Sequence, residues 1–227
     1  MIIITGASKG IGEFLFGEFN KENQKVIGTY NTSLPPEEYS ANFYKLDISD
    51  NHSITNFIEG IRDKLINVIL VNNAGITYNA FAHKSEILSW EKVINVNLIG
   101  TFRVISAILP FMREQQFGRI INISSVVAQL GAIGTSAYAA SKSGLWGLSK
   151  SIAKENANKN ITINNLNLGY MDAGMIKEVP EDMKNNLLEN IPFGSLGDTS
   201  EIFNAIKFLI ESDYITGTSI DINGGLY

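Results

Sequence analysis

The chain of 227 residues carries 18 Lys and Arg against 23 Asp and Glu, a formal net charge of -5, with 44% hydrophobic residues and no cysteine. This globular composition excludes a disordered or collagen-like chain, a disulfide framework, a thiol nucleophile and a thiolate zinc site. The acidic balance argues against a nucleic-acid partner, and no apolar run approaches the roughly 18 residues of a membrane span, so we expect a cytoplasmic protein without a membrane partner.

Seven short apolar runs typical of strands recur along the chain, separated by stretches with helical spacing. The runs are Met1–Thr5, Lys25–Tyr30, Phe43–Asp47, Val68–Asn72, Arg119–Ser124, Thr162–Asn167 and Ser219–Ile222. Because several of them are apolar without alternation, we expect strands covered by helices on both faces. The pattern predicts an α/β fold, a single doubly wound domain over residues 1–227 with a seven-stranded parallel sheet.

Apolar residues at helical spacing predict the covering helices. Ile11, Leu15 and Phe19 mark the first helix, and a second apolar face runs from Ile54 to Leu65. Helices are also predicted at about 85–115, 136–158 and 200–211. The segment at about 172–198 carries two prolines and three glycines, and we expect a flexible substrate loop there.

A glycine-rich turn joins the first strand to the first helix. It reads Thr5-Gly6-Ala7-Ser8-Lys9-Gly10-Ile11-Gly12. Glycines let the backbone turn tightly and approach a pyrophosphate, whose charge the helix amides attract. We interpret the turn as a site for a dinucleotide or another phosphate ligand, with a tight turn alone as the alternative.

The end of the second strand bears on which dinucleotide is bound. Where an NAD enzyme presents an acidic residue to the ribose hydroxyls, this chain has Tyr30. No carboxylate there repels a 2'-phosphate, and Lys9 in the glycine turn can pair with one. These residues favour NADP(H) over NAD(H), although Lys9 as a plain solubilising residue is the alternative.

Polar residues follow the fourth and fifth strands, at Asn72 to Gly75 and at Ser124 and Ser125, and Tyr138 and Lys142 come next. Four residues apart, Tyr138 and Lys142 share one helix face, so the ammonium can lie near the phenol. The carboxyl edge of an open α/β sheet is where ligands bind. We predict the reaction site there, with a surface helix pair as the alternative for Tyr138 and Lys142.

These motifs together resemble the short-chain dehydrogenase/reductase family over nearly the whole chain, and most of all its 3-oxoacyl-[acyl-carrier-protein] reductases. The matching stretches also include Asn95–Gly100, Gly118–Ser125, Tyr214–Gly217 and Asn223–Gly225. The resemblance implies a Rossmann-type domain. It also implies an NAD(P)-dependent oxidoreductase that interconverts a carbonyl and a secondary alcohol.

The resemblance implies a role for four catalytic residues. Tyr138 exchanges a proton with the substrate oxygen, and Ser125 hydrogen-bonds that oxygen. Lys142 holds the ribose and lowers the pKa of Tyr138, while Asn97 anchors a water relay. A free phenol has a pKa of about 10 and is a competent acid near neutral pH. A turn cap is the alternative for Ser125, and a bond to helix backbone for Asn97.

Other residues are implied to hold the cofactor, among them Asp47 at the adenine edge, for which a turn cap is the alternative. The full cofactor set is Gly6, Ser8, Lys9, Gly10, Ile11, Gly12, Tyr30, Asn31, Asp47, Ile48, Asn73, Ala74, Gly75, Tyr138, Lys142, Gly169 and Met171. We expect no metal site, because the sequence shows no metal-ligand cluster. His52 and His83 are isolated from one another without a carboxylate pattern around them, and we expect them at the surface and not in catalysis.

The chain departs from the family after the sixth strand. Leu168 stands in the place of a proline, and Ala173 in the place of a threonine that contacts the nicotinamide amide. We expect a relaxed turn and a lost donor, so that Tyr170, Met171 and backbone groups orient the nicotinamide. The connection at about 32–42 is also too short for the usual helix.

The substrate stays open. A small molecule or an acyl thioester is expected, first a 3-oxoacyl thioester, with a keto sugar or another biosynthetic intermediate as one alternative and a non-catalytic nucleotide-binding scaffold as another. The sequence around Arg113 has no basic cluster for an acidic carrier protein. Candidate pocket residues of mixed polarity are Gln129, Leu130, Ala132, Ile133, Tyr170 and Met175. The two long helices resemble those that pair subunits in this family, which implies a homodimer or homotetramer.

Overall fold

The computed structural model describes residues 1–174, 176 and 179–227, without the side chains of Asp182 and Met183. Its strands are β1 (Ile2–Ile4), β2 (Val26–Tyr30), β3 (Phe43–Lys45), β4 (Ile69–Asn72), β5 (Gly118–Ser125), β6 (Ile161–Leu168) and β7 (Ser219–Ile222). They form one seven-stranded parallel sheet in the order β3-β2-β1-β4-β5-β6-β7. The predicted fold class is confirmed, and each strand lies within two residues of its predicted bounds.

The helices cover both faces of this sheet. They are α1 (Gly10–Lys21), α2 (Asn51–Ile61), α3 (Ile87–Ile94), α4 (Thr101–Gln115), α5 (Val127–Leu130), α6 (Ser136–Asn156), α7 (Glu181–Glu189) and α8 (Thr199–Glu211). A π-helical segment, Asn95–Gly100, joins α3 to α4, so the helix predicted at about 85–115 is continuous but changes its pitch. The short connection before β3 holds a 3-10 helix, Glu37–Asn42, in place of an α-helix.

Consecutive residues of β1 are buried on opposite faces of the sheet, as the pleat requires. Ile3 lies in a core that includes residues of α2 and α4, whereas Ile2 and Ile4 lie in a second core with residues of α1 and α8. All three are at most 3% exposed. Apolar burial on both faces explains why the strands show no alternation in sequence.

The continuous helix Ile87–Gln115 has the length and composition of a membrane span, with 39% of its most apolar window buried. It contains no uninterrupted apolar run of that length, because Asn95, Asn97, Thr101 and Arg103 lie within it. Val104, Ile105, Ile108 and Met112 lie in the core on its inner side. A core helix with one fully apolar face meets the same criteria of length and composition.

Between β6 and α8, the predicted substrate loop contains α7 and an isolated bridge of Met171 to Gly197. This segment is therefore not a continuous irregular loop, because its apolar residues recur at helical spacing. Met175, a predicted pocket residue, lies outside the described residues.

Candidate active site

The glycine turn is built so that only glycine fits at its key positions. Gly6 and Gly10 have φ angles of +63° and +61°, in the left-handed region. A Cβ on Gly6 would lie 2.9 Å from the Cα of Ala74, and a Cβ on Gly12 would lie 2.5 Å from Nδ2 of Asn73. The turn thereby brings the end of β1 against the end of β4.

Side-chain hydrogen bonds hold these two strand ends together. Thr5 Oγ1 accepts from the backbone amides of Asn73 and Ala74 at 3.0 and 3.1 Å. Asn73 Nδ2 donates to the carbonyl oxygens of Gly6 and Thr5 at 2.9 and 3.1 Å. The Thr5 hydroxyl is thus a positioning group of the turn that the sequence motif did not single out.

The start of α1 suits a phosphate. Its N-cap residue is Lys9, which makes no side-chain capping bond, so the side chain leaves the first helix amides to another acceptor. Lys9 is exposed, while Ser8 and Ile11 are partly buried. The donor chemistry of this helix start fits an anionic group such as a pyrophosphate.

At the ends of β2 and β3, Asp47 and Asn31 meet. Asp47 Oδ1 accepts from the backbone amide and hydroxyl of Ser49 at 2.9 and 2.6 Å. The hydrogen bonds from Ser49, together with one from the Asn31 side chain, hold the pKa of Asp47 below its usual value. Asp47 therefore makes the turn-cap contact offered as its alternative role, and it keeps a charged carboxylate at this edge.

Two other residues of the predicted cofactor set turn toward the protein interior. The Ile48 side chain is 6% exposed, and a Cβ on Gly100 would lie 2.9 Å from its Cγ1. The Tyr30 ring packs partly against the apolar core. Only a part of Tyr30 therefore remains open to a ligand at the end of β2.

Lys142 lies deep in the site. Its side chain is 4% exposed, and Nζ donates to the carbonyl oxygen of Ile123 at 2.6 Å. Nζ also lies 5.6 Å from the centroid of the Tyr138 ring, on the same face of α6. Burial lowers the pKa of Lys142 to about 8.

Burial and Ser125 act on the pKa of the Tyr138 phenol, and the lowering by Lys142 that the family role implies stays a prediction. Burial raises the pKa of its phenol, and the hydrogen bond with Ser125 opposes this only in part. The ammonium of Lys142 donates to the Ile123 carbonyl and is itself desolvated. In this arrangement Tyr138 is a protonated acid at neutral pH.

Ser125 is the serine next to Tyr138, as the sequence spacing predicts. Ser124 Oγ is turned away and donates to the backbone carbonyl of Lys142 at 3.3 Å. Ser125 Oγ accepts from the amide of Val127 at 3.2 Å and also hydrogen-bonds Tyr138. The serine thus caps a turn and faces the phenol at the same time.

Asn97 lies in the π-helical segment and bridges three parts of the site. Its Oδ1 accepts from the amide of Ile76 at 2.8 Å, and its Nδ2 donates to the carbonyl of Ile76 and to Ser141 Oγ at 2.9 and 3.1 Å. A Cβ on Gly75 would lie 3.2 Å from Asn97 Oδ1 and 3.7 Å from Lys142 Nζ. Glycine therefore keeps open the space that a cofactor would fill there.

The end of β6 is more ordered than the loss of proline suggests. Leu168 is 5% exposed and pairs in register with Ser125 on one side and Ile222 on the other. The expected relaxed turn is therefore wrong, since the strand continues through Leu168. The Met171 side chain is 4% exposed and packs against Gly197, and its contact with the cofactor stays a prediction.

A cavity of about 230 Å³ lies past the end of β5, and Val126, the residue after Ser125, is part of its lining. Most of its lining is apolar and comes from α5, α7 and the chain after β7, and includes Val126, Val127, Leu130, Tyr170, Leu187 and Leu226. Leu130 and Tyr170 were predicted at this cavity. Gln129, Ala132 and Ile133 are not among its lining residues, and Ile133 is 85% exposed.

The sequence missed Leu187 and Leu226 as lining residues. Helical spacing in 181–189 could have indicated α7, but nothing local indicates that α7 or the residues after β7 line this cavity. Among the described residues, no group of three His, Cys, Asp or Glu side chains could hold a metal ion.

The sequence was compared with protein families and with known proteins. Residues 1–184 match the family model of the short chain dehydrogenases. A 3-oxoacyl-[acyl-carrier-protein] reductase of Haemophilus influenzae is 36% identical over 99% of this chain and 97% of its own length. The reductases of the same name from Escherichia coli K12 and Thermotoga maritima are 37% and 38% identical over 99% of this chain and 96% of theirs.

Proposed function

The chain belongs to the short-chain dehydrogenase/reductase family and is an oxidoreductase acting on CH–OH groups and ketones, and on this basis we propose that it reduces 3-oxoacyl thioesters with NADPH. The observation that carries the proposal is the position of the apolar cavity. It begins at Val126, directly after Ser125, whose side chain hydrogen-bonds the Tyr138 phenol.

Each of the four predicted catalytic residues has a separate role in such a reduction. Ser125 and Tyr138 are placed to hold one oxygen between them, and Tyr138 keeps its proton at neutral pH because burial raises its pKa. That proton is available to the oxygen as the ketone becomes an alcohol. Lys142 and Asn97 order the adjoining space through their bonds to Ile123 and Ile76.

The nicotinamide cofactor, when bound, supplies the hydride. The glycine turn, the open start of α1 and the gap at Gly75 are the places that fit it. Lys9 beside that helix start and the absence of a carboxylate in the stretch 28–33 support NADPH over NADH.

The lining of the cavity supports an acyl chain over a keto sugar. A polyol would place several hydroxyls against Val126, Val127, Leu130 and Leu226, with Tyr170 and Asn190 as the polar side chains of the lining, and each hydroxyl left unpaired costs free energy. An alkyl chain in the same place gains from each methylene it buries.

A carrier protein as the thioester donor has less support. Arg113, the cation that precedes β5, is exposed and donates to Asn156 Oδ1 at 2.5 Å. A single cation gives a weak steering surface for an acidic carrier protein, so small thioesters are the first substrates to test.

Apolar side chains on the outer side of Ile87–Gln115 support a homodimer or homotetramer. Leu88, Ile99 and Phe102 are 77%, 41% and 47% exposed in the single chain. Contiguous apolar surface of this kind is typical of subunit interfaces. The cysteine-free sequence supports the cytoplasm as the compartment.

The test is a fluorescence titration of the purified protein with NADPH and NADH, followed by 3-oxoacyl, sugar and small-ketone substrates. We expect tighter NADPH binding and its oxidation by 3-oxoacyl thioesters alone. Tighter NADH binding would reverse the cofactor assignment. Cofactor binding without turnover of any substrate would favour the non-catalytic scaffold.

A further inference from the structure

The five residues that follow β7, Asn223–Tyr227, form one side of the cavity through Leu226. We call them the post-β7 segment. Gly224 and Gly225 have φ angles of +64° and +85°, so this backbone has more freedom than one with side chains. The position of Leu226 therefore depends on what holds the segment at its two ends.

The first end is held by Asn223. Its Oδ1 accepts from the amides of Gly225 and Leu226 at 2.9 and 3.3 Å. The carbonyl of Gly224 accepts from the amide of Phe193 at 3.0 Å. These contacts fix the turn and the backbone amide of Leu226, but none of them involves the Leu226 side chain.

The second end is held by a chain of side-chain hydrogen bonds. Tyr227 OH and Asn167 Nδ2 both donate to Oδ1 of Asp221, each at 2.7 Å. Trp146 Nε1 in turn donates to Asn167 Oδ1 at 2.9 Å. Hydrogen bonds to a carboxylate are stronger than those between neutral groups, and of these three bonds the one from Tyr227 is exposed to water while the other two are partly buried.

Strand register makes this arrangement possible. Asn167 and Asp221 are direct partners across β6 and β7, and their side chains therefore project from the same face of the sheet. Burial and the bond with Asp221 raise the pKa of Tyr227 to about 12. The phenol is a donor throughout the neutral range.

The hydrogen-bond chain ends on the helix that carries the reactive groups. Trp146 follows Lys142 by four residues, and Lys142 follows Tyr138 by four. All three side chains lie along one face of α6. The post-β7 segment is thus connected to the same helix face that positions the phenol.

We propose that Tyr227 is a positioning residue for substrate selection: through Asp221, Asn167 and Trp146 it holds Leu226 against the cavity, where Leu226 contacts the acyl chain of the substrate. The part of this inference that identifies the bound group as an acyl chain rests on the proposed function. The inference predicts that loss of the Tyr227 hydroxyl weakens the binding of longer acyl chains and does not change the rate of the chemical step.

The test compares Tyr227→Phe and Leu226→Ala with Tyr214→Phe, a matched control at a fully exposed tyrosine. Substrates are acetoacetyl-coenzyme A and 3-oxooctanoyl-coenzyme A. We expect Tyr227→Phe and Leu226→Ala to raise KM for the longer substrate about 5- to 10-fold, with kcat and KM for the shorter one within about twofold. An unchanged KM in both variants, or an equal change for both chain lengths, overturns the inference.

A second measurement does not depend on turnover. In a Trp90→Phe background, Trp146 is the only tryptophan, and its fluorescence reports both acrylamide quenching and binding of octanoyl-coenzyme A, which has no ketone to reduce. We expect Tyr227→Phe, unlike Tyr214→Phe, to increase quenching and to weaken octanoyl-coenzyme A binding about fivefold or more.

The two measurements separate the two proposals. Weakened octanoyl-coenzyme A binding in a protein that reduces no 3-oxoacyl thioester supports the role of Tyr227 and overturns the proposed function. Turnover with unchanged binding in Tyr227→Phe does the reverse. A wild-type protein that neither binds nor reduces these thioesters overturns both.

Discussion

The buried ammonium of Lys142 predicts a pH dependence at the scale of one residue. Its pKa of about 8 means that the charge is lost as the pH rises through that value. Because the charged form is the one that can attract a ribose hydroxyl and stabilise a developing phenolate, we expect kcat/KM to fall above about pH 8. kcat/KM reports groups of the free enzyme, so it is the quantity to measure.

The variant Lys142→Arg isolates this titration. Arginine keeps its charge throughout the range, so its profile, at whatever lower level, should lack the decline near pH 8. Lys150→Arg, at an exposed position of the same helix, should keep the wild-type profile. A decline at the same pH in Lys142→Arg would assign it to another group.

Tyr138→Phe tests the proton donor. The hydroxyl is the group that Ser125 contacts and whose pKa burial raises. We expect turnover to fall about 10²- to 10⁴-fold, the usual contribution of a positioned acid. NADPH affinity, measured by fluorescence, should stay within about twofold of wild type. Turnover retained at more than a tenth would mean that the proton comes from elsewhere.

At the scale of the element, α1 contains two glycines whose substitution by alanine should change stability in opposite directions. A Cβ on Gly12 meets Asn73 Nδ2 at 2.5 Å, whereas a Cβ on Gly17 has no atom within 4 Å. We expect Gly12→Ala to lower the free energy of unfolding by about 1–3 kcal/mol through overpacking and to weaken NADPH binding. Gly17→Ala should raise stability by about 0.5–1 kcal/mol, because alanine is the better helix former.

Urea unfolding and cofactor titration of the two α1 variants provide the check. A normal stability for Gly12→Ala with intact NADPH binding would show that the β1 and β4 ends can move apart. In the sequence, the glycine spacing indicates that another part of the backbone comes close to this turn. The partners, Ala74 and Asn73, follow β4 and lie about 60 residues further along the chain.

At the scale of the whole molecule, one row of polar side chains crosses four strands. Asn72, Asn122, Asn165 and Ser219 are register partners from β4 to β7. Asn122 accepts from Asn72 at 2.8 Å and donates to Ser149 and Asn165 at 3.1 and 3.3 Å. The row therefore links four adjacent strands on one side of the sheet.

Asn122→Ala should destabilise the fold by about 2–3 kcal/mol, because it leaves buried partners without hydrogen bonds. Asn204→Ala, at an exposed position of α8, is the matched control and should cost nothing measurable. Urea unfolding measures both. Equal midpoints would mean that the neighbours of Asn122 find other partners.

Subunit association is the second prediction at this scale. Phe102 is 47% exposed on the outer side of α4, and a charge in a buried apolar interface is costly. We expect light scattering to give a dimer or tetramer for wild type and a smaller species for Phe102→Glu. A monomer mass for the wild-type protein at working concentration would contradict the predicted oligomer.

The sequence by itself determined the seven strands, their parallel arrangement and the edge at which the site lies. Periodicity is set by local geometry, and parallel strands bring their carboxyl ends to one edge whatever connects them. The four-residue spacing of Tyr138 and Lys142 likewise fixed their common helix face, since a helix imposes it.

Only the tertiary structure decided the environment of those residues. The pKa directions of Tyr138 and Lys142 depend on burial, and burial depends on β5 and on loops far away in sequence. The same holds for Leu168, which stays in register because β5 and β7 flank it, and for Leu226, which lines the same cavity as Val126 from beyond the end of β7. A local sequence pattern does not indicate which distant segment lines a cavity, because that contact depends on how the elements pack together in the folded protein.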